Sequence, residues 1–290
     1  MPTPPSDGHS LATVLVGTDL SDAALIGVQA GAVLAQASGA ALHILHASSE
    51  PDVSEDGPEL THLLTHHVRH VMGPGEPVSL HLSRGSPHRR LTDFADQTGA
   101  NLIVLGSHRP RRIFDGLLGT TADRVIRTAP QPVLVVNRSM AAPPRRILLA
   151  TDFSAVADRA LDLTVDWACQ WGKEKSPTGS DSPSESALLE LVHISAFAHP
   201  AYRPVVATDP LRARAAAAEA RAEGRLRIRP RILSAPLAPE GILQAAEELR
   251  ADLLVLGTHG HGRLIRALIG SVASEVARTL LFPILLVPPD

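Results

Sequence analysis

Asp252-Leu-Leu-Val-Leu-Gly-Thr-His259 sets an unbroken apolar run between an acid and a glycine-led polar turn, and its reading decides the fold. A short run without polar alternation reads as a strand buried on both faces, as in a parallel sheet. The same programme stands earlier as Asn101-Leu-Ile-Val-Leu-Gly-Ser-His108, with Gly257 lying 151 positions after Gly106. A second pair of blocks, Val14–Ser21 and Arg146-Ile-Leu-Leu-Ala-Thr-Asp152-Phe-Ser154, sets Asp152 133 positions after Asp19. Most of the difference between the two offsets is explained by Lys173–Ser186, a polar stretch rich in Pro and Ser. Such a stretch cannot bury a face and is expected to be a mobile insertion. The chain is a tandem duplication.

Outward from these blocks, strand and helix signals alternate. Residues 22–37 are Ala-rich with helical spacing and Gly39 as a stop, and Ala41–His46 reads as a strand. Leu60–Met72 predicts a helix with Leu60, Leu63, Leu64, Val68 and Val71 on one face. Val78, Leu80 and Leu82 alternate as a strand, and Leu91–Gln97 is helical. Asn101–Leu105 is a buried strand, Thr120–Thr128 a helix and Pro132–Val136 a last strand. Strands alternating with helices give an α/β fold with a parallel sheet. The expected domains are residues 1–142 and 143–290, joined by the stiff connector Ala141-Ala-Pro-Pro-Arg145. Their apolar last strands, Pro132–Val136 and Phe282–Val287, are expected to pack together as a pseudo-two-fold pair. Arg225–Ile232 alternates Arg with Leu and Ile around Pro230, which suits an edge strand. A nucleic-acid stripe is disfavoured because no aromatics interleave to stack bases.

Composition excludes several function classes. The chain has 290 residues, 44% hydrophobic and 20% charged, within the range of ordinary globular domains. Its net charge of −3 provides no field to draw nucleic acid or acidic membranes. The single cysteine, Cys169, excludes an intramolecular disulfide and a multi-cysteine metal site. Met1–Gly17 lacks a charged n-region, and no apolar run reaches the ~18 residues of a membrane helix. A cytoplasmic protein with neither nucleic-acid nor membrane partners is expected.

The chemistry concentrates after the 252–257 run. Gly257-Thr-His-Gly260 is followed by nine residues and then by Gly270-Ser271 opening a helix. Gly257 and Gly260 are expected at positive φ, bringing backbone N–H groups close to a ligand. Gly270-Ser271 sets bare N–H groups, a hydroxyl and a helix dipole where an anion binds. Asp152 shares that crevice if the first and fourth strands of the copy are neighbours. The bland alternative is a tight turn at the glycines and helix capping at Ser271, Thr120 and the Asp-x-Ser blocks.

On these residues the chain resembles a tandem universal stress protein. Gly257, Gly260, Gly270 and Ser271 match the spacing of that family's nucleotide signature, and the likeness extends over Ile147–Ser154, Leu188–Ile194 and Phe282-Pro-Ile-Leu-Leu-Val287. The resemblance implies two flavodoxin-like (adenine nucleotide alpha hydrolase-like) domains, each with a five-stranded parallel sheet of order 3-2-1-4-5. It implies ATP, often with Mg²⁺, with Asp152 and Ile194 flanking adenine while the glycine loop and Ser271 hold ribose and phosphates. It also implies an intramolecular pseudo-dimer, and it leaves a further homodimer open. The first copy keeps Asp19, Gly106, Gly119 and Thr120 but carries Arg109-Pro110 in place of the second glycine, so its site is expected to be degenerate.

Other candidates are weaker. His62, His66 and His70 stand one helical turn apart, a spacing that holds Zn²⁺ or Ni²⁺, although a solvated polar face is the simpler account. His259 and His261 flank Gly260 as additional phosphate contacts. Trp167 and Trp171, with Cys169 between them, suit core or interface packing. No P-loop, nucleophile elbow or His-Glu-x-x-His helix is present, and no catalytic residue is assigned. The expected function is a cytosolic stress-response protein that binds ATP as a regulator or sensor. A slow ATP hydrolase or phosphotransfer enzyme on the same site, and a nucleotide-free scaffold for another small ligand, are the alternatives.

Overall fold

A computed structural model of the chain describes residues 9–49, 58–72, 77–107, 120–172, 186–196, 208–260, 269–279 and 281–290. The expected insertion Lys173–Ser186 falls almost wholly outside these residues, as do Arg109, Pro110, Gly119 and His261. The first copy runs β1 (Thr13–Thr18), α1 (Asp22–Ser38), β2 (Ala41–Ser48), α2 (Pro58–Met72), β3 (Ser79–Arg84), α3 (Pro87–Thr98), β4 (Leu102–Gly106), α4 (Thr120–Thr128) and β5 (Val133–Val136). The second repeats the order with β6 (Arg146–Ala150), α5 (Ala155–Trp171), β7 (Ala187–Ala196), α6 (Thr208–Ala222) and β8 (Leu226–Ala235). It ends with α7 (Ala238–Leu249), β9 (Leu253–Gly257), α8 (Ser271–Thr279) and β10 (Ile284–Val287).

The strands form one sheet of order β3-β2-β1-β4-β5-β10-β9-β6-β7-β8. Every pairing is parallel except β5 with β10, which is antiparallel, with Leu285 opposite Leu134. Both strands are buried throughout, so each closes an apolar edge that would otherwise face water. The outer edges fall to β3 and β8. Pro230 sits on β8 opposite Leu191, and Arg231 pairs with Glu190 and Glu248 at 2.8 and 3.1 Å.

Alternating strand residues feed two cores, one under α1, α2, α5 and α6 and the other under α3, α4, α7 and α8. Thus Val14 and Val16 point to one face while Leu15 points to the other. Helix starts and stops follow local chemistry. Ser21 and Ser154 cap α1 and α5 through their hydroxyls, and Gly39 and Gly99 end α1 and α3 in the left-handed conformation. On α2 the buried face is Leu64, Val68 and Met72, whereas Leu63 is 56% exposed, so the expected apolar face is narrower than its leucines suggested. Trp167 and Trp171 are buried and reach into the first copy, donating to His9 O at 2.8 Å and Ser38 Oγ at 3.1 Å. Among the described residues no helix is long and apolar enough to cross a membrane.

Candidate functional site

Because β6 and β9 are hydrogen-bonded neighbours, the turns that follow them open onto one crevice beyond the carboxyl ends of the strands. Strand order reverses there, and that is where an open α/β sheet takes its ligands. The turn after β6 is tied at each residue. Thr151 N–H donates to Val192 O at 2.8 Å, and Thr151 Oγ1 accepts from Phe153 N–H at 3.0 Å. Asp152 Oδ1 accepts from Ser154 N–H at 3.0 Å, and Ser154 Oγ accepts from Ala157 N–H at 3.3 Å. The helix-capping role and the placement of the Asp152 carboxylate are therefore one device. Phe153 adopts φ +65°, with its ring 4.5 Å from that of His193 and 5.1 Å from the guanidinium of Arg214. Arg214 is itself held by Asp158 at 2.5 and 3.0 Å, so the cost of the left-handed turn is offset by stacking.

The turn after β9 hangs on Thr258. Its N–H donates to Val287 O at 2.8 Å, its carbonyl accepts from Gly270 N–H at 2.7 Å, and its hydroxyl lies 2.9 Å from His259 Nδ1. The bond from Gly270 fastens the start of α8 to the end of β9. It also corrects one expectation, because the Gly270 N–H is already paired. The first intrahelical bond, Ser274 N–H to Gly270 O at 2.9 Å, leaves the N–H groups of Ser271, Val272 and Ala273 as the open end of the helix. All three residues line the crevice.

A second correction concerns the glycines. Gly257 and Gly260 do not lie at positive φ; among the described glycines that region holds Gly39, Gly85, Gly99 and Gly224. Their requirement is space. A Cβ on Gly257 would stand 2.9 Å from Val156 Cγ1, one on Gly270 3.2 Å from Thr258 O, and one on Gly260 would overlap Asp152 Oδ2. The glycine loop and the carboxylate are in contact.

Asp152, Ile194, Gly257, Gly260, Gly270 and Ser271 all line one cavity of about 410 Å³, together with His259. Its apolar wall includes Ile242 and Val272, and His193 and Thr258 complete the polar side. Sequence reasoning passed over these four. Ile242 and Val272 look like ordinary core positions on their helices. Thr258 and His193 stand beside quoted motif residues, and adjacency in sequence was the available signal. His193 Nδ1 lies 2.9 Å from Thr151 O, so this nitrogen carries a proton and donates.

In the first copy Asp19, Gly106 and Thr120 are described, whereas Arg109 and Gly119 are not. Asp19 repeats the turn geometry of Asp152: its Oδ1 accepts from Ser21 N–H at 3.0 Å, and Leu20 follows at φ +65°. Gly106 differs from its counterpart. A Cβ there would strike the α1 backbone at Ala23, and one on Gly27 would come within 2.7 Å of Gly106 N. Ala23, smaller than Val156 of the second copy, lets α1 seat its backbone directly on the strand end. His62, His66 and His70 are exposed on α2, and among the described residues no group of three or more His, Cys, Asp or Glu is arranged to hold a metal.

Comparison with known proteins agrees with this architecture. The model of the universal stress protein family matches residues 11–137 and again 144–288. The structure of a universal stress protein from Archaeoglobus fulgidus superposes with a TM-score of 0.70 at 21% identity, covering 97% of this chain and 99% of that one. Among curated relatives, universal stress protein MJ0577 of Methanocaldococcus jannaschii is 37% identical over 54 residues, 19% of this chain and 33% of the relative. Universal stress protein G of Shigella flexneri is 37% identical over 70 residues, 24% of this chain and 49% of the relative. The matched segments thus span a third to a half of these curated relatives.

Proposed function

The chain belongs to the universal stress protein family, and from that premise we propose that its second copy binds ATP and acts as a nucleotide-dependent regulator or sensor in a cytoplasmic stress response. The observation that carries this is the convergence of Asp152, Ile194, Gly257, Gly260, Gly270 and Ser271, drawn from three separate strand ends and one helix start, on one cavity of about 410 Å³. The residues present fit a nucleotide. Gly260 keeps the loop free of a Cβ beside the carboxylate, apolar Ile194 and Ile242 offer walls for a base, and the open N-terminus of α8 faces the same space. Asp152 is the one carboxylate among the described lining residues, so Mg²⁺ would rest chiefly on phosphate oxygens. On this reading residues 1–142 and 143–290 are the two domains, and β5 and β10 are the seam of an intramolecular pseudo-dimer.

The test is direct. Mass spectrometry of the purified protein should find co-purifying adenine nucleotide, and titration calorimetry should find an ATP site that Ser271→Trp, which fills the mouth of the helix end, abolishes. Failure of the unmodified protein to bind ATP, or undiminished binding by the variant, overturns the proposal.

A further inference from the structure

The duplication supplies an internal control at the other end of the sheet. Before β1 and β6, each copy ties its incoming chain with one side chain. Asn101 Oδ1 accepts from the N–H groups of Ala12 and Thr13 at 2.9 Å each, and Asp252 Oδ2 accepts from those of Arg145 and Arg146 at 3.1 and 2.9 Å. The helix ends correspond too. Gly99 caps α3 at φ +64° and Arg250 caps α7 at φ +54°, each donating to two carbonyls of the last turn. Arginine therefore stands at three positions, 145, 146 and 250, where the first copy has Ala12, Thr13 and Gly99.

The matched clefts have diverged accordingly. That of the first copy, about 210 Å³, is flanked by Trp167, Arg159 and Asp290, with Arg159 and Asp290 paired at 2.7 Å. That of the second is about 570 Å³ and is lined by Arg138, Arg145, Arg146 and Arg250, all exposed, with Phe282 in its wall. Arg138 donates to Ala251 O at 2.8 Å and lies 5.9 Å from the Phe282 ring, which fixes its guanidinium at the rim. Two acids, Glu247 and Asp252, share the lining, and Asp252 is already engaged by Arg146 at 3.1 Å and by the two backbone N–H groups. Among the described lining residues, arginines outnumber carboxylates four to two. The cap position that suits glycine carries an arginine at φ +54°, and that residue belongs to the lining of this cleft.

We propose that this cleft is a second, separate anion site that takes a compact small molecule carrying several phosphoryl oxygens. Guanidinium forks match phosphoryl oxygens in pairs, and a cleft of this size suits a small multiply charged ligand. It lies at the amino ends of β6 and β9, whereas the candidate ATP cavity lies at their carboxyl ends.

The probe is inorganic tripolyphosphate, titrated by calorimetry into the full chain. The expected result is one site that weakens with added salt, survives Gly260→Arg at the opposite cavity, and loses about 10-fold or more in affinity in the double variant Arg145→Ala/Arg250→Gly. Arg250→Gly copies the first copy's cap, so it should melt no lower than the unmodified protein while binding several-fold more weakly. If it melts lower, Arg145→Ala and Arg138→Ala, both at exposed positions, carry the same test. Competition by ATP in Gly260→Arg identifies a nucleotide's triphosphate as the source, and its absence an inorganic one; either upholds the site. Undiminished affinity in the double variant, or loss of tripolyphosphate binding in Gly260→Arg, overturns it.

Discussion

Gly260 shows how one atom's absence shapes the candidate site. Its backbone is ordinary, and what it contributes is room beside Asp152 Oδ2. Gly260→Ala is therefore expected to push the Asp152 carboxylate aside. Because Asp152 is exposed and can move, the loss of folding stability should stay within about 1 kcal/mol. ATP affinity, by contrast, should fall about 10-fold, since carboxylate and loop would no longer be in register for a ligand. Thermal melting and calorimetry on the same variant check both halves; an equal loss in each would make Gly260 a folding residue only. Cys169 is the opposite case, a residue with reactive chemistry kept out of use. It is buried on α5, and that burial pushes its thiol above the usual range. Its modification by a disulfide reagent at pH 8 should be slow in the native protein and should accelerate on unfolding. Fast reaction of the folded chain would contradict its placement.

Among the elements, β10 matters most because it is shared. It pairs with β9 in its own copy and with β5 in the other, and all four of its residues are buried. A chain of residues 143–290 alone would expose one side of this apolar strand, and an unsatisfied edge recruits another. That fragment is expected to associate as a homodimer through β10, as measured by light scattering. A monomer at micromolar concentration would show that the edge needs no partner. The element level is also where the sequence was most legible. Buried parallel strands are unbroken apolar runs, so β1, β4, β6 and β9 announce themselves, and Ser21, Ser154 and Gly39 mark helix boundaries by chemistry that needs no distant partner. That these residues share one cavity was legible because they sit at strand ends and helix starts. Its physics was less so. Whether a glycine serves positive φ or close approach depends on what faces it, and Asp152, 108 positions from Gly260, is invisible to local spacing. The arginine at the α7 cap was likewise hidden, since its environment is built from the connector and the turns that lead into β9 and β10.

Across the whole molecule the two copies have become unequal, and protons and nucleotide should act on different halves. His67, His81 and His88 all lie in the first copy, and burial pushes each below its ordinary value of 6.5, with His43 adding to the effect at His81. His43 Nδ1 and His81 Nε2 lie 3.0 Å apart, a hydrogen bond in which one ring nitrogen donates and the other accepts. The unfolded chain therefore takes up protons that the folded chain resists. The stability these groups contribute is complete above 6.5 and is lost as the pH falls below it, toward their lowered folded values. Denaturant melts at pH 7.5 and 5.5 should show that loss, and His81→Gln should reduce it; an unchanged pH dependence in the variant would place the effect elsewhere. ATP should work on the other half. One ATP per chain is expected, because only the second copy pairs Gly260 with Asp152 and keeps a valine side chain between α5 and the end of β9. In the first copy the sequence has Arg109 where the second has Gly260, and α1 seats its backbone against Gly106. Ligand binding to the folded state alone stabilises it by about 2.7 kcal/mol at a hundred times Kd. Saturating ATP should therefore raise the melting temperature with a stoichiometry of one, and Gly260→Arg should cancel the shift without removing the pH effect, since its histidines sit in the other copy. Two equal sites, or a shift that survives Gly260→Arg, would mean that the first copy still binds nucleotide despite its arginine.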